Sequence, residues 1–150
     1  MQLKSFFRSS VATSDSIAPL FLRLSLGIMI LPHGLQKTLG WFGGYGFEGT
    51  MGYLTNTFGA PWIFALLAIL AESVGGVMLI LGLGTRVAAL GVGGVMLVAS
   101  TQHWANGFFM NWFGAQKGEG IEFFILTSGI ALALLVLGGG KASLDRLLSR

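Results

Sequence analysis

The sequence predicts an all-α integral membrane protein built as a bundle of four transmembrane helices. Three observations predict it. The 150-residue chain is 53% hydrophobic and only 10% charged, where soluble domains carry roughly a quarter charged residues. Its mean hydropathy is +0.76. Four apolar stretches, residues 17–36, 61–83, 86–105 and 121–137, approach the roughly 20 residues a helix needs to cross a bilayer core.

The first stretch opens on Ser14, Asp15 and Ser16 as N-cap candidates, with Pro19 in the first turn, where a missing N–H costs nothing. It is too long for a cleaved leader, contains Arg23 and lacks a small-residue cleavage site, so it reads as a retained span. Pro32 lies inside it and is expected to bend or end the helix before His33. The turn Gly82-Leu83-Gly84-Thr85 joins the second and third stretches into an antiparallel hairpin. After the Gly138-Gly139-Gly140 break, Leu144, Leu147 and Leu148 fall on one helical face, as do Leu3, Phe6, Phe7 and Val11 at the other terminus; both pieces read as interfacial.

Lys4, Arg8, Arg86, Lys141, Arg146 and Arg150 belong to the termini and the short turn, whereas the two longer loops carry Lys37 and Lys117. The positive-inside rule then places both termini in the cytoplasm. The net charge of +3 comes without a basic stripe interleaved with aromatics, which gives no reason to expect nucleic acid. His33 precedes Trp41-Phe42-Gly43 much as His103 precedes Trp112-Phe113-Gly114, the mark of a weak parallel duplication of a two-helix unit. These loops, rich in Gly and aromatics, are expected to lie in the interface or fold over the bundle.

Ionisable side chains inside a span cost roughly 2.5–3.5 kcal/mol each on insertion scales, so each needs a partner or a purpose. Glu72 is the costliest, about 16 Å from either end of its stretch at 1.5 Å per residue. Arg23 lies within reach along the bundle axis, and a structural Arg23–Glu72 ion pair that fixes helix register is the expected arrangement, with a proton or substrate role for Glu72, or a neutral Glu72 without a close cation, as the alternatives. At the outer end His33, Lys37, His103, Asn106, Glu119 and Glu122 fall near one membrane surface, with Trp41, Trp104 and Trp112 beside them. The plain reading is a helix-capping Glu122 and interfacial histidines and tryptophans. The sharper one is a site where two imidazoles and a carboxylate move protons while the tryptophans, Lys37 and Asn106 hold a flat ring. Haem held by His33 and His103 is a further alternative.

With no cysteine, the chain has no disulfide, no thiolate metal site and no dithiol couple. A zinc site needs three or four ligands and the chain offers only two histidines with carboxylates, so no metal is expected. No Ser-His-Asp arrangement, P-loop or dinucleotide fingerprint is present either.

A set of short motifs spans nearly the whole chain: Arg23 with Gly27, His33-Gly34-x-x-Lys37, Ala71-Glu72-x-x-Gly75-Gly76, Leu81-Gly82-Leu83-Gly84-Thr85-Arg86, His103 with Asn106-Gly107-Phe108, Gly120-x-Glu122 and Ser143-Leu144-Asp145. In these the chain resembles the DoxX family of small four-helix bacterial inner-membrane proteins. The resemblance implies a single membrane domain over residues 1–150 in a family often described as candidate oxidoreductases. Relatives include membrane subunits of thiosulfate:quinone oxidoreductase and proteins linked to quinone, catechol or thiol stress. Carried over by position, it points to Arg23, His33, Lys37, Glu72, Arg86, His103 and Glu122. Arg86 is expected to anchor at lipid head groups or to pair with Asp145. Without cysteine, thiol exchange through the chain's own residues is excluded. The expectation is quinone-linked redox chemistry at the outer end, with Glu72, His33, His103 and Glu122 as the reacting groups and a redox partner subunit or a homo-oligomer as company. The competing class is a non-enzymatic scaffold subunit or small-solute carrier.

Overall fold

The computed structural model describes residues 11–149. Every regular element among them is helical: α1 (Ala18–Leu39), α2 (Gly46–Gly52), α3 (Trp62–Leu81), α4 (Thr85–His103), α5 (Glu122–Leu137) and α6 (Leu144–Leu148), with short irregular helical turns after α1, α2 and α4. Leu3, Lys4, Phe6, Phe7, Arg8 and Arg150 lie outside the described residues.

Pro19 occupies the first turn of α1, and Ser16 Oγ accepts from the Ala18 amide at 3.1 Å. Of the two outcomes expected of Pro32, a bend or an end, the end does not occur: α1 continues to Leu39 and stops at Gly40 in the left-handed region (φ 72°). A proline here removes one backbone hydrogen bond and crowds the preceding turn. That loss is offset because Gly27 and Ile30 before it and Gly34 after it are all buried in one interface with α3.

The four long helices pack in the order α1, α3, α4, α5, with α5 returning to α1. Their directions alternate. Arg23 near the start of α1 meets Leu79 and Ile80 at the end of α3, the tight Gly82–Gly84 turn reverses the chain, and His103 at the end of α4 stacks on Phe124 at the start of α5. One end of the bundle, the termini end, therefore gathers residues 12–16, the α3–α4 turn and residues 138–149. The other, the loop end, gathers residues 40–61 and 104–121.

Glycines set the helix spacing. A Cβ on Gly27 would meet Gly76 O at 3.0 Å, and one on Gly76 would meet Leu31 Cα at 3.2 Å, so α1 and α3 touch almost backbone to backbone. Such small-residue seams suit helix association in lipid, where packing rather than hydrophobic burial holds helices together. Leu26, Ile30, Leu79, Val92 and Leu134 fill the centre. Met51 and Leu54, from α2 and the turn after it, fold back over Ala65 and Ile69 of α3 near the loop end.

The outward faces are apolar: Phe21, Ile28, Leu67, Val74, Leu90 and Leu132 are all exposed. So much apolar surface facing outward is the signature of a lipid-solvated helix rather than a soluble one. Among the described residues, α1 and α3 are long and apolar enough to cross a membrane. α4 has 19 residues, while α5 has 16, a rise of about 24 Å.

Candidate functional site

The buried charges sort into three places. The first is the seam between α1 and α3. Gly34 brings α1 onto the backbone of Glu72 and Ser73, where an added Cβ would sit 2.5 Å from Glu72 C and Ser73 Cα. One turn later on the same helix, Lys37 Nζ reaches down and forms an ion pair with Glu72 Oε2. The Glu72 side chain is 5% exposed and that of Lys37 28%. Glu72 lies about 15 Å along α3 from Trp62 and about 14 Å from Leu81 at 1.5 Å per residue, close to the middle of the helix. A carboxylate held there needs its cation, and Lys37 supplies it.

The second place is the termini end, and it corrects the expected Arg23–Glu72 pair. Arg23 is 0% exposed and donates to backbone carbonyls throughout: Nε to Gly139 at 2.9 Å, Nη1 to Leu79 and Ile80 at 3.0 Å, and Nη2 to Ala142. The planar fork of the guanidinium suits this role, because it points several fixed donors at the carbonyls a helix leaves unpaired at its C-terminus. Asp145, also fully buried, does the complementary task at the start of α4, accepting from Gly84 N at 2.6 Å and Thr85 N at 2.9 Å. Arg86 does not pair with Asp145. Its Nε donates to Ala12 O and its Nη2 to Val136 O, because the carboxylate is already turned toward the helix N-terminus. Backbone bonds from Ser14 N to Leu137 O and from Lys141 N to Ser16 O tie the two ends of the bundle's polypeptide together.

The third place is the loop end. Glu122 opens α5, and its Oε1 accepts from Met110 N at 2.9 Å and Trp112 Nε1 at 3.1 Å. Glu119 Oε2 accepts from Asn111 N at 2.7 Å, while its carbonyl faces His103 Nδ1 at 3.1 Å and accepts from Asn106 at 3.0 Å. The His103 ring stacks on Phe124 with centroids 4.9 Å apart. These groups knit the 104–121 loop onto α4 and α5, so Glu122, His103 and Asn106 all carry structural contacts.

The remaining candidates are spread over the surface. His33 is exposed on α1. Trp41, Trp104 and Trp112 are also exposed, and Phe113 beside Trp112 is 96% exposed. The two Trp-Phe-Gly segments differ in form: Trp41–Gly43 is a single helical turn with Phe42 at φ 53°, whereas residues 112–114 form a bend closed by Gly114 N to Asn111 O. His33 and His103 are held in different settings, and the haem alternative draws no support from their contacts. Among the described residues, no three His, Asp or Glu side chains gather as a metal site.

Sequence reasoning singled out Glu72 as the costliest buried charge and set Lys37 apart from it, in the outer-end cluster, so it did not join them. The signal was available, since Gly34 and Lys37 lie three apart on one helical face and Gly34 marks the close approach. Asp145 as a helix cap was missed, because its partners lie 61 and 60 residues away in sequence.

Apolar outward faces, glycine seams and buried charges matched to internal partners define a helical membrane protein. The family model for DoxX, a membrane family, matches residues 18–112, and the chain belongs to that family. The match covers α1 to α4 and leaves α5 and α6 outside it. No curated protein and no solved structure matches the chain.

Proposed function

We propose that this DoxX protein crosses the bacterial cytoplasmic membrane four times, with both termini in the cytoplasm, and serves quinone-linked redox chemistry at the Lys37–Glu72 pair. Packing supports four spans. α4 lies against α3 and α5 against α4, and their outward residues Leu90, Leu97, Ile125 and Leu132 are apolar and exposed, so they belong in the same layer as α1 and α3. Arg86, Lys141 and Arg146 at the termini end support its assignment to the cytoplasm.

The observation that carries the chemical reading is the ion pair itself. Among the described residues Lys37 donates one hydrogen bond and Glu72 accepts one, although an ammonium has three donors and a carboxylate two oxygens. A quinone carbonyl accepts from an ammonium and a quinol hydroxyl donates to a carboxylate, which are the two valences left over. When bound, such a ring supplies the two-electron, two-proton chemistry that a chain without cysteine lacks in its own side chains. Lys37 orients the oxygen and offsets negative charge on it, Glu72 holds or releases a proton at its carboxylate, and the α1–α3 seam excludes water beneath them. The exposed tryptophans stand at the interface, with Trp112 fixed by Glu122, while His33 is exposed on α1 beside Gly34. A redox partner subunit or a second copy would meet the outer helix faces.

The competing reading is a scaffold, favoured by the number of buried charges committed to backbone capping. Glu72→Gln separates the two. A variant that stays folded in detergent but loses quinone-linked turnover supports the chemical role, and one that no longer yields folded protein supports a register role. Proton-coupled solute uptake in liposomes would instead favour a carrier.

A further inference from the structure

We propose that water reaches the Lys37–Glu72 pair from the loop end alone, so that the pair is the floor of a blind polar vestibule and not a station on a path through the bundle. The inference rests on the membrane-spanning reading above but not on the quinone.

Glu72 is midway along α3, but along α1 the walls above and below the pair are unequal. Gly34 marks the level of Glu72 on α1, because its missing Cβ lies on the Glu72 and Ser73 backbone. From Gly34 to the end of α1 at Leu39 is five residues, about 7 Å of helix rise. From Gly34 back to Pro19 is fifteen residues, about 22 Å. Along that longer wall the α1–α3 seam leaves no room: Gly27 meets Gly76 O and Ile80, Gly76 meets Leu31, and Leu26, Ile30 and Leu79 are fully buried. The seam ends in the Arg23 guanidinium, its donors taken by carbonyls of α3 and of the loop after α5. No water or solute passes that plug without breaking several of these bonds.

The pair itself is only partly covered, and Lys37 is the member that lies nearer the loop end. Lys37 keeps 28% exposure while Glu72 keeps 5%, so the open side is the lysine's. A lysine one turn from a helix end ordinarily extends its ammonium to the interface. Here the stem turns inward to Glu72, while the backbone beside it at Gln36 is capped by the close approach of Gly44. The other ionisable groups on the helices packed around the pair are placed elsewhere. Arg23 and Arg86 belong to the termini end, His33 and Glu48 are exposed, and His103 faces Glu119 O.

The chain has no cysteine, so single-cysteine variants report access without background. The test uses a membrane-impermeant maleimide on right-side-out and inverted membrane vesicles. Phe113→Cys marks the loop end, and Ser149→Cys marks the termini end. Glu72→Cys made together with Lys37→Met probes the floor without leaving an unpaired charge, and Leu26→Cys probes the seam below. Thr38→Cys, on the seam face one residue beyond Lys37, keeps the ion pair and covers the case in which the double variant does not fold. The expected result is reaction at positions 72 and 38 from the Phe113 side only, with loss of all labelling at position 26. Reaction at 72 or 38 from the Ser149 side, or at neither position from either side while both markers react, overturns the proposal. None of these outcomes depends on quinone binding.

Discussion

Gly34→Ala is the sharpest single perturbation of this architecture. The added methyl would lie 2.5 Å from Glu72 C, Ser73 Cα and Ser73 N, about 1 Å inside the optimal carbon contact of 3.5–4.0 Å. All three atoms are backbone, so no rotamer change relieves the overlap, and α1 and α3 must part by about 1 Å. A gap of 0.5–1 Å forfeits a quarter to a half of the dispersion well at each contact it opens, and overpacking of this kind costs about 1–3 kcal/mol. Alanine returns at most about 1 kcal/mol through its helix propensity. With the full propensity gain the net expectation is a loss of up to about 2 kcal/mol, read as a lower unfolding midpoint of the detergent-purified protein. Gly94 is the control, because nothing lies within 4 Å of a Cβ built there; Gly94→Ala should be neutral or stabilising by up to about 1 kcal/mol. Equal stability of the two variants would refute the claim that Gly34 sets the α1–α3 spacing.

Arg23→Lys should lose most of the folded protein despite keeping the charge, since a single ammonium does not span the carbonyls of Leu79, Ile80, Gly139 and Ala142; yield of monodisperse protein by size exclusion is the readout. Asp145→Ala removes the cap on the Gly84 and Thr85 amides and should cost about 0.5–2 kcal/mol in the same unfolding assay, with Asp145→Asn closer to wild type. Glu122→Ala frees Met110 N and Trp112 Nε1 and should speed limited proteolysis within residues 107–121. Glu122→Gln, which keeps an acceptor oxygen, should not.

The helical, membrane-embedded character was legible because hydropathy and span length are local properties, and the DoxX resemblance was legible because its motifs are local too. What was not legible depends on which helix faces which. Arg23 and Glu72 were paired on axial distance alone, but rotation of α1 turns Arg23 toward the α3 C-terminus and leaves Glu72 to Lys37. Helix rise predicts depth and says nothing of the azimuth set by the Gly27, Gly34 and Gly76 contacts. Pro32 was read as bending or ending α1, and the ending did not occur, because a local rule saw a lost hydrogen bond and not the packing on either side of it. The outer cluster of His103, Asn106, Glu119 and Glu122 was recognised as a group. Its contacts are with loop backbone, which sequence spacing does not encode, so its members carry the loop where a converging pocket was expected.

The central claim is that Lys37 and Glu72 form the chemical centre and not merely a register device. The most direct measurement is the reduced-minus-oxidised optical spectrum of gently extracted protein, with quinone added back, for the wild type and for Lys37→Met made together with Glu72→Gln. Removing both charges avoids the roughly 3–5 kcal/mol penalty of leaving one buried and unpaired, so the double variant should keep the wild-type unfolding midpoint. The account predicts a quinone difference band in the wild type and none in the double variant. A band of equal size in both, or none in folded wild-type protein after quinone is restored, would contradict it.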